Sequence, residues 1–461
     1  MSLSYRSIAE AAQGRLIGDD GLFQSASTDS RRSQADDLFI ALRGEHFDAH
    51  DFLGQAVACG AKAVMVDHEC EVNVTQIVVP DTRLGLGALA KLWRQQFRPP
   101  MIAITGSNGK TTVKEMLASI LKRMGETLVT QGNLNNDIGV PLTLLRLRDD
   151  HRYAVIEMGA NHPGEIRYLA GLAEPDVGLI TNAGPAHLEG FGDIEGVARA
   201  KGELFEQLSE PQIAVINADD QYASLWRKSA SRCRRLEFGL EHGDVAVKGA
   251  WQPDFSRLLI DTAQGSCEIT LPVPGIHNAR NALAAAAAAA AVGAGPAEIK
   301  AGLEAMQPVK GRLYPRTGVH GMKILDDTYN ANPESLRAAL EVVAAMPGEA
   351  WLILGDMGEL GAAGPELHGR MGESAMQHGI RRLFALGPLS ALAAERFGAN
   401  AHHYAADQYQ ALIRDVRAAA AQSSGTTVNL LVKGSRAMRM ERIVAGLSAD
   451  ENAPSPKAVE S

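Results

Sequence analysis

Cysteine is scarce in this chain, and its spacing argues against two kinds of structural site. The 461 residues contain four cysteines, and no two of them form a C-x-x-C pair. Neither a disulfide framework nor a zinc site built on paired cysteines is therefore indicated. Scattered thiols fit a protein of the reducing cytoplasm, where we expect this chain to act. The cysteines are Cys59, Cys70, Cys233 and Cys267.

Long apolar runs and an excess of basic charge are also missing. No stretch approaches about 18 apolar residues without charges or helix-breaking residues, so we expect no membrane span. The first residues do not join a basic segment to an apolar one, so we expect no secretory signal. Lysine and arginine number 45 against 54 aspartates and glutamates, a net charge of −9. This balance argues against nucleic acid or an anionic membrane as the main partner.

The length predicts more than one domain. A chain of 461 residues is too long for a single core, and about 100–200 residues per domain suggest three domains. With 46% hydrophobic and 21% charged residues, each domain can bury its own core. We place the domains at residues 1–81, 82–313 and 314–461. We expect the tail after about residue 448, which is rich in Pro, Ala, Glu and Ser, to be disordered.

Short apolar runs alternate with helix-forming segments along most of the chain. This alternation is typical of α/β domains with mostly parallel sheets. We predict a central phosphate-loop ATPase domain with a parallel sheet, flanked by a small N-terminal α/β domain and a C-terminal Rossmann-like α/β domain. In such sheets ligands bind at the carboxyl ends of the strands. The predicted strands are 37–42, 63–66, 101–105, 127–130, 153–157, 177–181, 213–217, 324–330, 351–355, 383–386 and 428–432.

Residues 101–112, MIAITGSNGKTT, combine an apolar strand, a glycine-rich turn and a helix start. Backbone N–H groups of such a turn converge with a helix N-terminus on phosphate oxygens, and a lysine adds charge. The usual G-x-x-x-x-G-K-[ST] pattern needs glycine where Ile104 stands, so this is a shortened variant. An ordinary glycine-rich turn is the alternative. The predicted nucleotide-binding residues here are Gly106, Ser107, Asn108, Gly109, Lys110, Thr111 and Thr112.

Three metal-competent side chains follow the predicted strands of the central domain. Glu157 ends one strand, His187 follows the next, and Lys201 lies on a helix after it. An acidic group at the mouth of a parallel sheet suits Mg²⁺, either directly or through water. The alternatives are a solvated carboxylate, a loop histidine and a surface lysine, and the residues alone favour these.

Two other stretches have both a structural and a ligand-binding interpretation. Asn278 opens an alanine-rich helix, where it is either an N-cap or, with Asn281 three residues later, one of two amides facing a purine. Arg31 and Arg32 lie in a polar turn, where they either grip a diphosphate or remain in solvent. The residues alone favour the cap and the solvated surface.

Taken in order, these motifs resemble the ATP-dependent Mur ligases of peptidoglycan precursor synthesis. The resemblance runs from about residue 25 to about residue 445. Its details are similar to the branch that joins D-alanyl-D-alanine to UDP-N-acetylmuramoyl-tripeptide through an acyl phosphate. The motifs are TGSNGKT at 105–111, NLNNDIGVP at 133–141, Glu157, His187, Lys201, GIHNARN at 275–281, GR at 311–312, DDTYNANP at 326–333, LGDMGELG at 354–361 and KGSR at 433–436.

The resemblance implies ATP and two Mg²⁺ ions as cofactors and assigns roles to single residues. It implies catalytic roles for Lys110, His187, Lys201 and Arg312, and metal binding by Thr111, Glu157, His187 and Lys201, the last as a carbamate. It places the nucleotide on the phosphate loop, Asn278, Asn281, Arg312 and Asp327. It places the substrates on Ser30, Arg31, Asn135, Asn136, Asn330, Asn332, Lys433 and Arg436.

The same resemblance implies a monomeric enzyme of cell-wall synthesis whose three domains bind the nucleotide-sugar peptide, ATP and the dipeptide in turn. Domain closure about hinges near Pro80 and Arg312 is expected. Three alternative classes of protein fit the sequence less well. Folylpolyglutamate synthase-like proteins have the phosphate loop near the N-terminus, and the ligase that adds the third peptide residue usually carries an Asp-Asn-Pro-Arg motif that is absent here. A nucleotide-gated scaffold protein would not need Lys110, Glu157 and His187 intact.

Overall fold

The computed structural model describes residues 3–44, 47–240, 242–247, 256–273, 275–423 and 425–449. It contains three α/β domains, each built on its own sheet, as the sequence predicts. The domain boundaries at residues 81 and 313 stay predictions, and the tail expected to be disordered lies outside the described residues from 450 onward. Within the described part of the chain, none of the helices combines the length and the apolar character that a bilayer crossing requires.

The first domain is a five-stranded sheet in the order β1-β5-β4-β3-β2. Its elements are α1 (Tyr5–Ala11), β1 (Arg15–Ile17), β2 (Ser25–Ser27), β3 (Asp37–Ile40), a 3₁₀ turn (Ala49–Phe52), α2 (Leu53–Ala58), β4 (Ala63–Val66) and β5 (Thr75–Val78). Strands β2 to β5 are parallel, and β1 pairs antiparallel with β5. Every residue of β3 and β4 is buried, because helices or loops cover both faces of a parallel sheet.

The central domain holds a nine-stranded sheet in the order β14-β13-β12-β11-β10-β9-β6-β8-β7. Its elements are α3 (Thr82–Gln96), β6 (Met101–Thr105), α4 (Lys110–Leu121), β7 (Thr127–Val129), α5 (Gly139–Leu144), β8 (Tyr153–Glu157), α6 (Glu165–Ala173), β9 (Val177–Ile180), α7 (Leu188–Phe191), α8 (Ile194–Glu206), β10 (Ile213–Asn217), α9 (Ala223–Ser229), β11 (Arg234–Gly239), β12 (Val245–Val247), β13 (Arg257–Thr262), β14 (Gly265–Thr270), α10 (Ile276–Ala291) and α11 (Pro296–Ala305). Strands β6 to β12 are parallel, which confirms the predicted sheet. The phosphate-loop strand β6 lies between β8 and β9, so the loop and the ends of both neighbours meet at one edge.

The sequence interpretation missed strands β11 to β14. The β13–β14 hairpin is antiparallel and closes the far edge of the central sheet. A sequence signal was present in β14, where apolar Cys267 and Ile269 alternate with polar residues, as expected for a sheet with one solvated face. In β13 the three consecutive apolar residues 258–260 hide the alternation of burial that the structure shows.

The third domain is a six-stranded sheet in the order β15-β16-β20-β17-β18-β19. Its elements are β15 (Tyr314–Thr317), β16 (Lys323–Asp327), α12 (Pro333–Ala344), β17 (Glu349–Gly355), α13 (Gly364–Gln377), β18 (Arg382–Leu386), α14 (Ser390–Phe397), β19 (Ala401–Tyr404), α15 (Tyr409–Gln422), β20 (Val428–Lys433) and α16 (Glu441–Leu447), with 3₁₀ turns at Val319–Gly321, Gly361–Ala363 and Arg436–Met438. The five strands β16 to β20 are parallel. The last strand, β20, is inserted between β16 and β17, which sets Lys433 beside Asp327 at the carboxyl edge.

Candidate active site

The phosphate loop passes closely over its neighbours at two glycines. Gly106 and Gly109 have φ angles of 147° and 82°, where side chains are disfavoured. A Cβ on Gly106 would lie 1.9 Å from Thr181 Oγ1, and one on Gly109 would lie 2.3 Å from Asn281 Oδ1. Both glycines are therefore needed for the loop to pack as it does, and the second brings the loop against Asn281, predicted to bind adenine.

The Lys110 ammonium lies inside the loop that precedes it. Its Nζ donates to the carbonyl oxygens of Gly106 at 2.6 Å and Ser107 at 3.3 Å. Burial lowers the pKa of Lys110, Arg312 lowers it further, and the carboxylate of Glu157 opposes this shift. Helix α4 starts at Lys110, and no side chain of the described residues caps its first turn. Its N–H groups and the ammonium together form an anion-binding site.

Glu157 and Thr111 form an oxygen-rich cluster beside the loop. The Thr111 hydroxyl lies 3.4 Å from Glu157 Oε1, which also accepts from Asn135 Nδ2 at 2.9 Å. The other carboxylate oxygen, Oε2, is buried and makes no hydrogen bond within the described part of the chain. Its nearest cation is Lys114 Nζ at 3.8 Å. A buried carboxylate oxygen that lacks a hydrogen bond, in a carboxylate next to a hydroxyl, fits a hard divalent cation such as Mg²⁺.

Two other residues predicted to bind metal have different surroundings. His187 Nδ1 lies 2.6 Å from Glu359 Oε2 of the third domain. Lys201 is 1% exposed, and its Nζ lies 5.6 Å from the centre of the Phe191 ring. Burial, with a smaller contribution from Lys110, lowers the pKa of Lys201 to about 7. His187 thus joins two domains, and Lys201 is no surface lysine.

The prediction of Asn278 as a helix cap is wrong. Helix α10 begins at Ile276 with Gly275 in the N-cap position, which places Asn278 inside the first turn. Gly275 takes this position because its φ is 109°. Asn278 and Asn281 are both buried, and Asn281 Nδ2 donates to Asn278 Oδ1 at 3.3 Å. The two amides therefore form one polar pair against the phosphate loop.

The third domain contributes a buried ion pair at the carboxyl ends of the neighbouring strands β16 and β20. Lys433 Nζ donates to the Asp327 carboxylate and, at 2.9 Å, to the carbonyl oxygen of Asn330. Arg312, in the segment leading into this domain, donates to Thr111 Oγ1 at 3.0 Å. Its guanidinium also stacks on Tyr329, 4.3 Å from the ring centre. Arg312 therefore links the phosphate loop to the start of the third domain.

A cavity of about 980 Å³ opens between the central and third domains. Its walls contain most of the residues predicted to bind the nucleotide and the metal ions, together with residues predicted to bind the dipeptide. Of the predicted site residues, six do not line it: Ser30, Arg31, Gly106, Thr111, Lys201 and Arg436. The predicted residues that line it are Ser107, Asn108, Gly109, Lys110, Thr112, Asn135, Asn136, Glu157, His187, Asn278, Asn281, Arg312, Asp327, Asn330, Asn332 and Lys433.

The residues predicted to bind the uridine diphosphate part of the substrate lie in the first domain, after β2. Ser30 is buried and its hydroxyl donates to Gln55 Oε1 at 2.9 Å. The side chain of Arg31 is 79% exposed, and its guanidinium donates two hydrogen bonds to Asp29. The exposed guanidinium is accessible to a ligand, and the buried hydroxyl supports the turn. Their assignment to the UDP site stays a prediction.

Sequence reasoning missed Glu334, which also lines the cavity. Its carboxylate accepts from Asn108 Nδ2 at 2.8 Å. The available signal was an acidic residue in the first turn of a helix, after the N-cap Asn332. That signal predicts the cap but not a partner 226 positions away.

The first domain also holds a group of metal-competent side chains that the sequence reasoning did not single out. Ligand atoms of His50, Asp67 and His68 lie within 4.8 Å of one another. Arg43 pairs with Asp67 at 3.0 Å and with Asp48 at 3.1 Å. This guanidinium already supplies the positive charge there, so the group is explained as an ion-pair network.

Comparisons with known proteins agree with this fold and identify its family. The models for the Mur ligase middle domain, the Mur ligase glutamate ligase domain and the Mur ligase family catalytic domain match residues 104–289, 311–436 and 23–94. The chain belongs to the Mur ligase family, which confirms the resemblance carried by its motifs.

Several relatives that align along most of this chain are ligases with the same printed name. The chain is 43% identical over 450 residues to the UDP-N-acetylmuramoyl-tripeptide--D-alanyl-D-alanine ligase of Escherichia coli strain K12, covering 97% of this chain and 98% of the relative. Among solved structures, it is similar to MurF from Acinetobacter baumannii with a TM-score of 0.90 and 37% identity, over 96% of this chain and 98% of the other. The chain is also similar to MurF ligase from Thermotoga maritima in complex with ADP, with a TM-score of 0.81 and 28% identity. That match covers 92% of this chain and 97% of the other.

Proposed function

We propose that this chain joins D-alanyl-D-alanine to UDP-N-acetylmuramoyl-tripeptide in the cytoplasm, with ATP as the energy source. A substrate carboxylate oxygen attacks the γ-phosphorus of ATP, the bond to ADP breaks, and an acyl phosphate forms. The dipeptide amine then attacks the acyl carbon, and phosphate leaves with the electrons of the C–O bond. Phosphorylation is needed because a carboxylate has no good leaving group for an amine to displace.

The observation that carries this proposal is the cavity that joins the phosphate loop to the carboxyl ends of β16 and β20 in the third domain. Phosphoryl transfer requires two anions, the carboxylate and the γ-phosphate, to be held together in line. Lys110 and Arg312 place positive charge on the transferring group. Asn278 and Asn281 receive the adenine, and Asp327 receives the ribose.

Glu157 and Thr111 fit a Mg²⁺ ion, because Glu157 Oε2 is buried without a hydrogen bond among the described residues and the Thr111 hydroxyl lies beside the carboxylate. We assign His187 to a second ion. Bound Mg²⁺ neutralises phosphate charge as it develops. The chain's own residues orient this site: Asn135 fixes one oxygen of Glu157, and Lys114 Nζ lies 3.8 Å from the other. Lys201, buried next to the charge of Lys110, carries a carbamate in our proposal.

The amine of the dipeptide must lose a proton as the amide forms. Of the two acidic residues that follow β17, Asp356 is already engaged, because Oδ1 accepts from the Ser390 N–H and hydroxyl, each at 2.7 Å. Glu359 lines the cavity and pairs with His187. We assign the acceptor role to Glu359, because it lines the cavity and Asp356 does not.

The reaction is tested by phosphate release from ATP in the presence of UDP-N-acetylmuramoyl-tripeptide, with and without D-alanyl-D-alanine. We expect sustained release only when both substrates are present, because the acyl phosphate forms on one and is consumed by the other. Release that is indifferent to the dipeptide would contradict this proposal. Mass spectrometry of the product separates ligation from hydrolysis.

The carboxylate of the dipeptide needs a positive partner, and we expect Arg436→Ala to raise the KM for D-alanyl-D-alanine by about tenfold, the cost of one charge-assisted contact. Arg436 is 66% exposed and pairs with Glu441 at 3.2 Å. The KM values for ATP and the UDP-substrate should change little.

Steady-state kinetics in each substrate measure this effect. Arg414→Ala, on the exposed face of α15, is the matched control and should change none of the three constants. An equal loss for all three substrates in Arg436→Ala would instead assign the residue to domain closure.

A further inference from the structure

One side chain of the phosphate loop is held by the third domain. Asn108 Nδ2 donates to Glu334 Oε2 at 2.8 Å, and Asn108 Oδ1 accepts from Asn332 Nδ2 at 2.8 Å. The carboxylate can only accept, so the orientation of the Asn108 amide is fixed. The Oδ1 of Asn332 accepts from the Ser335 N–H at 2.8 Å, which fixes the second amide as well.

The remaining groups of Asn108 are held by the central domain. Its N–H donates to Asn182 Oδ1 at 2.9 Å, and its carbonyl oxygen accepts from the Thr181 hydroxyl at 2.7 Å. The backbone of the loop is thus fixed by the end of β9, whereas its Asn108 side chain is fixed by the start of α12. A shift of α12 away from the loop would break both side-chain bonds together.

A glycine makes this approach possible. A Cβ on Gly184 would lie 2.0 Å from Glu334 Oε2, and that carboxylate lies against the backbone of the loop after β9. Gly184 does not have a positive φ, so its lack of a side chain is needed for space and not for backbone conformation.

From these contacts we infer that Asn108, Asn332 and Glu334 form a latch, in which Glu334 and Asn332 act as positioning residues that hold the third domain closed on the phosphate loop. Asp327 ends β16 and Asn332 is the N-cap of α12, so one short connection joins the two residues. Holding α12 at the loop therefore also sets the distance between the phosphate site and the carboxyl edge of β16 and β20. The kinetic part of this inference rests on the proposed ligase function.

The latch predicts a specific kinetic signature. A ligand that binds only the closed arrangement has an apparent affinity reduced by the fraction of protein that is closed. We expect Glu334→Ala to raise the KM for D-alanyl-D-alanine by about tenfold, as expected for loss of one charge-assisted bond, with a smaller change in kcat. Glu334→Gln keeps an acceptor of the same length and should restore most of the wild-type KM.

Gly184→Ala tests the same bond without altering either partner. The added methyl group must displace the Glu334 carboxylate from Asn108, so this variant should reproduce the KM of Glu334→Ala. The double variant should be no worse than either single one, because both remove one interaction. Glu395→Ala, an exposed glutamate of α14 in the same domain, is the control and should behave as wild type.

Small-angle X-ray scattering of the ligand-free proteins separates the latch from the ligase reaction. We expect a larger radius of gyration for Glu334→Ala and Gly184→Ala than for the wild type, Glu334→Gln and the control. Equal radii in all five proteins, or additive effects of the two substitutions on KM, would overturn the latch. If the wild type releases no phosphate with its proposed substrates, the proposed function is wrong. The comparison of radii of gyration still tests the latch, because it uses the ligand-free proteins.

Discussion

Replacing Lys110 by alanine should lower ligase turnover by about 10² to 10³-fold, which corresponds to roughly 3–4 kcal/mol of lost transition-state stabilisation. The ammonium sits inside the phosphate loop, held by two carbonyl oxygens, and in our proposal it turns to the phosphoryl group during transfer. Its charge acts on groups that develop charge in the transition state, so its loss should appear in kcat and not only in the KM for ATP.

The measurement is phosphate release at saturating substrates, with thermal unfolding as a check on the fold. We expect the melting temperature of Lys110→Ala to stay near that of the wild type, because the bonds of Lys110 are to its own loop. Lys122→Ala, at the exposed C-terminal end of the same helix, is the control. Near-wild-type turnover in Lys110→Ala would remove the phosphate loop from the mechanism.

Lys201→Ala should be nearly inactive and partly rescued by a small carboxylate such as acetate. Only an uncharged amine adds CO₂, and burial favours that form, since it lowers the pKa of Lys201 to about 7. The carbamate supplies an anionic oxygen of the kind that Mg²⁺ prefers. Carbamate formation should increase as the pH rises through about 7, because the proportion of neutral amine rises there.

Labelled bicarbonate gives a readout that does not depend on activity. A ¹³C carbonyl resonance should appear in the wild type and in Lys228→Ala, an exposed lysine of α9, and should be missing in Lys201→Ala. An unmodified Lys201 in a well-ordered, metal-bound structure would count against the carbamate. Failure of acetate to restore any turnover would argue for a packing role of the lysine against Phe191.

Features encoded by a few neighbouring residues were predictable from the sequence. The phosphate loop follows from two glycines and a lysine between a strand and a helix. The parallel strands β8 and β10 are apolar runs ended by polar residues, and their predicted bounds match the structure. The residues at their carboxyl ends could therefore be placed at one edge of the sheet from the strand pattern alone, since parallel strands align their ends.

Partners from distant parts of the chain were not predictable in the same way. His187 could be recognised as metal-competent, but its contact with Glu359 depends on how two domains meet. Lys433 was predicted to be a substrate cation, and its ion pair with Asp327 follows from the insertion of β20 next to β16. Local pattern also failed at Asn278, because Gly275 with its positive φ provides an earlier start for the helix.

The position of β20 also determines when the third domain can fold. During synthesis the chain emerges from its N-terminus, and β16 and β17 appear well before the strand that must lie between them. Until β20 is made, β16 and β17 cannot be joined in one sheet, because each of them is hydrogen-bonded to β20. A ribosome stalled before residue 428 would therefore carry two domains able to form their sheets and a third that cannot. The same holds for a truncated gene product, which would expose the apolar sides of an unfinished sheet to proteases.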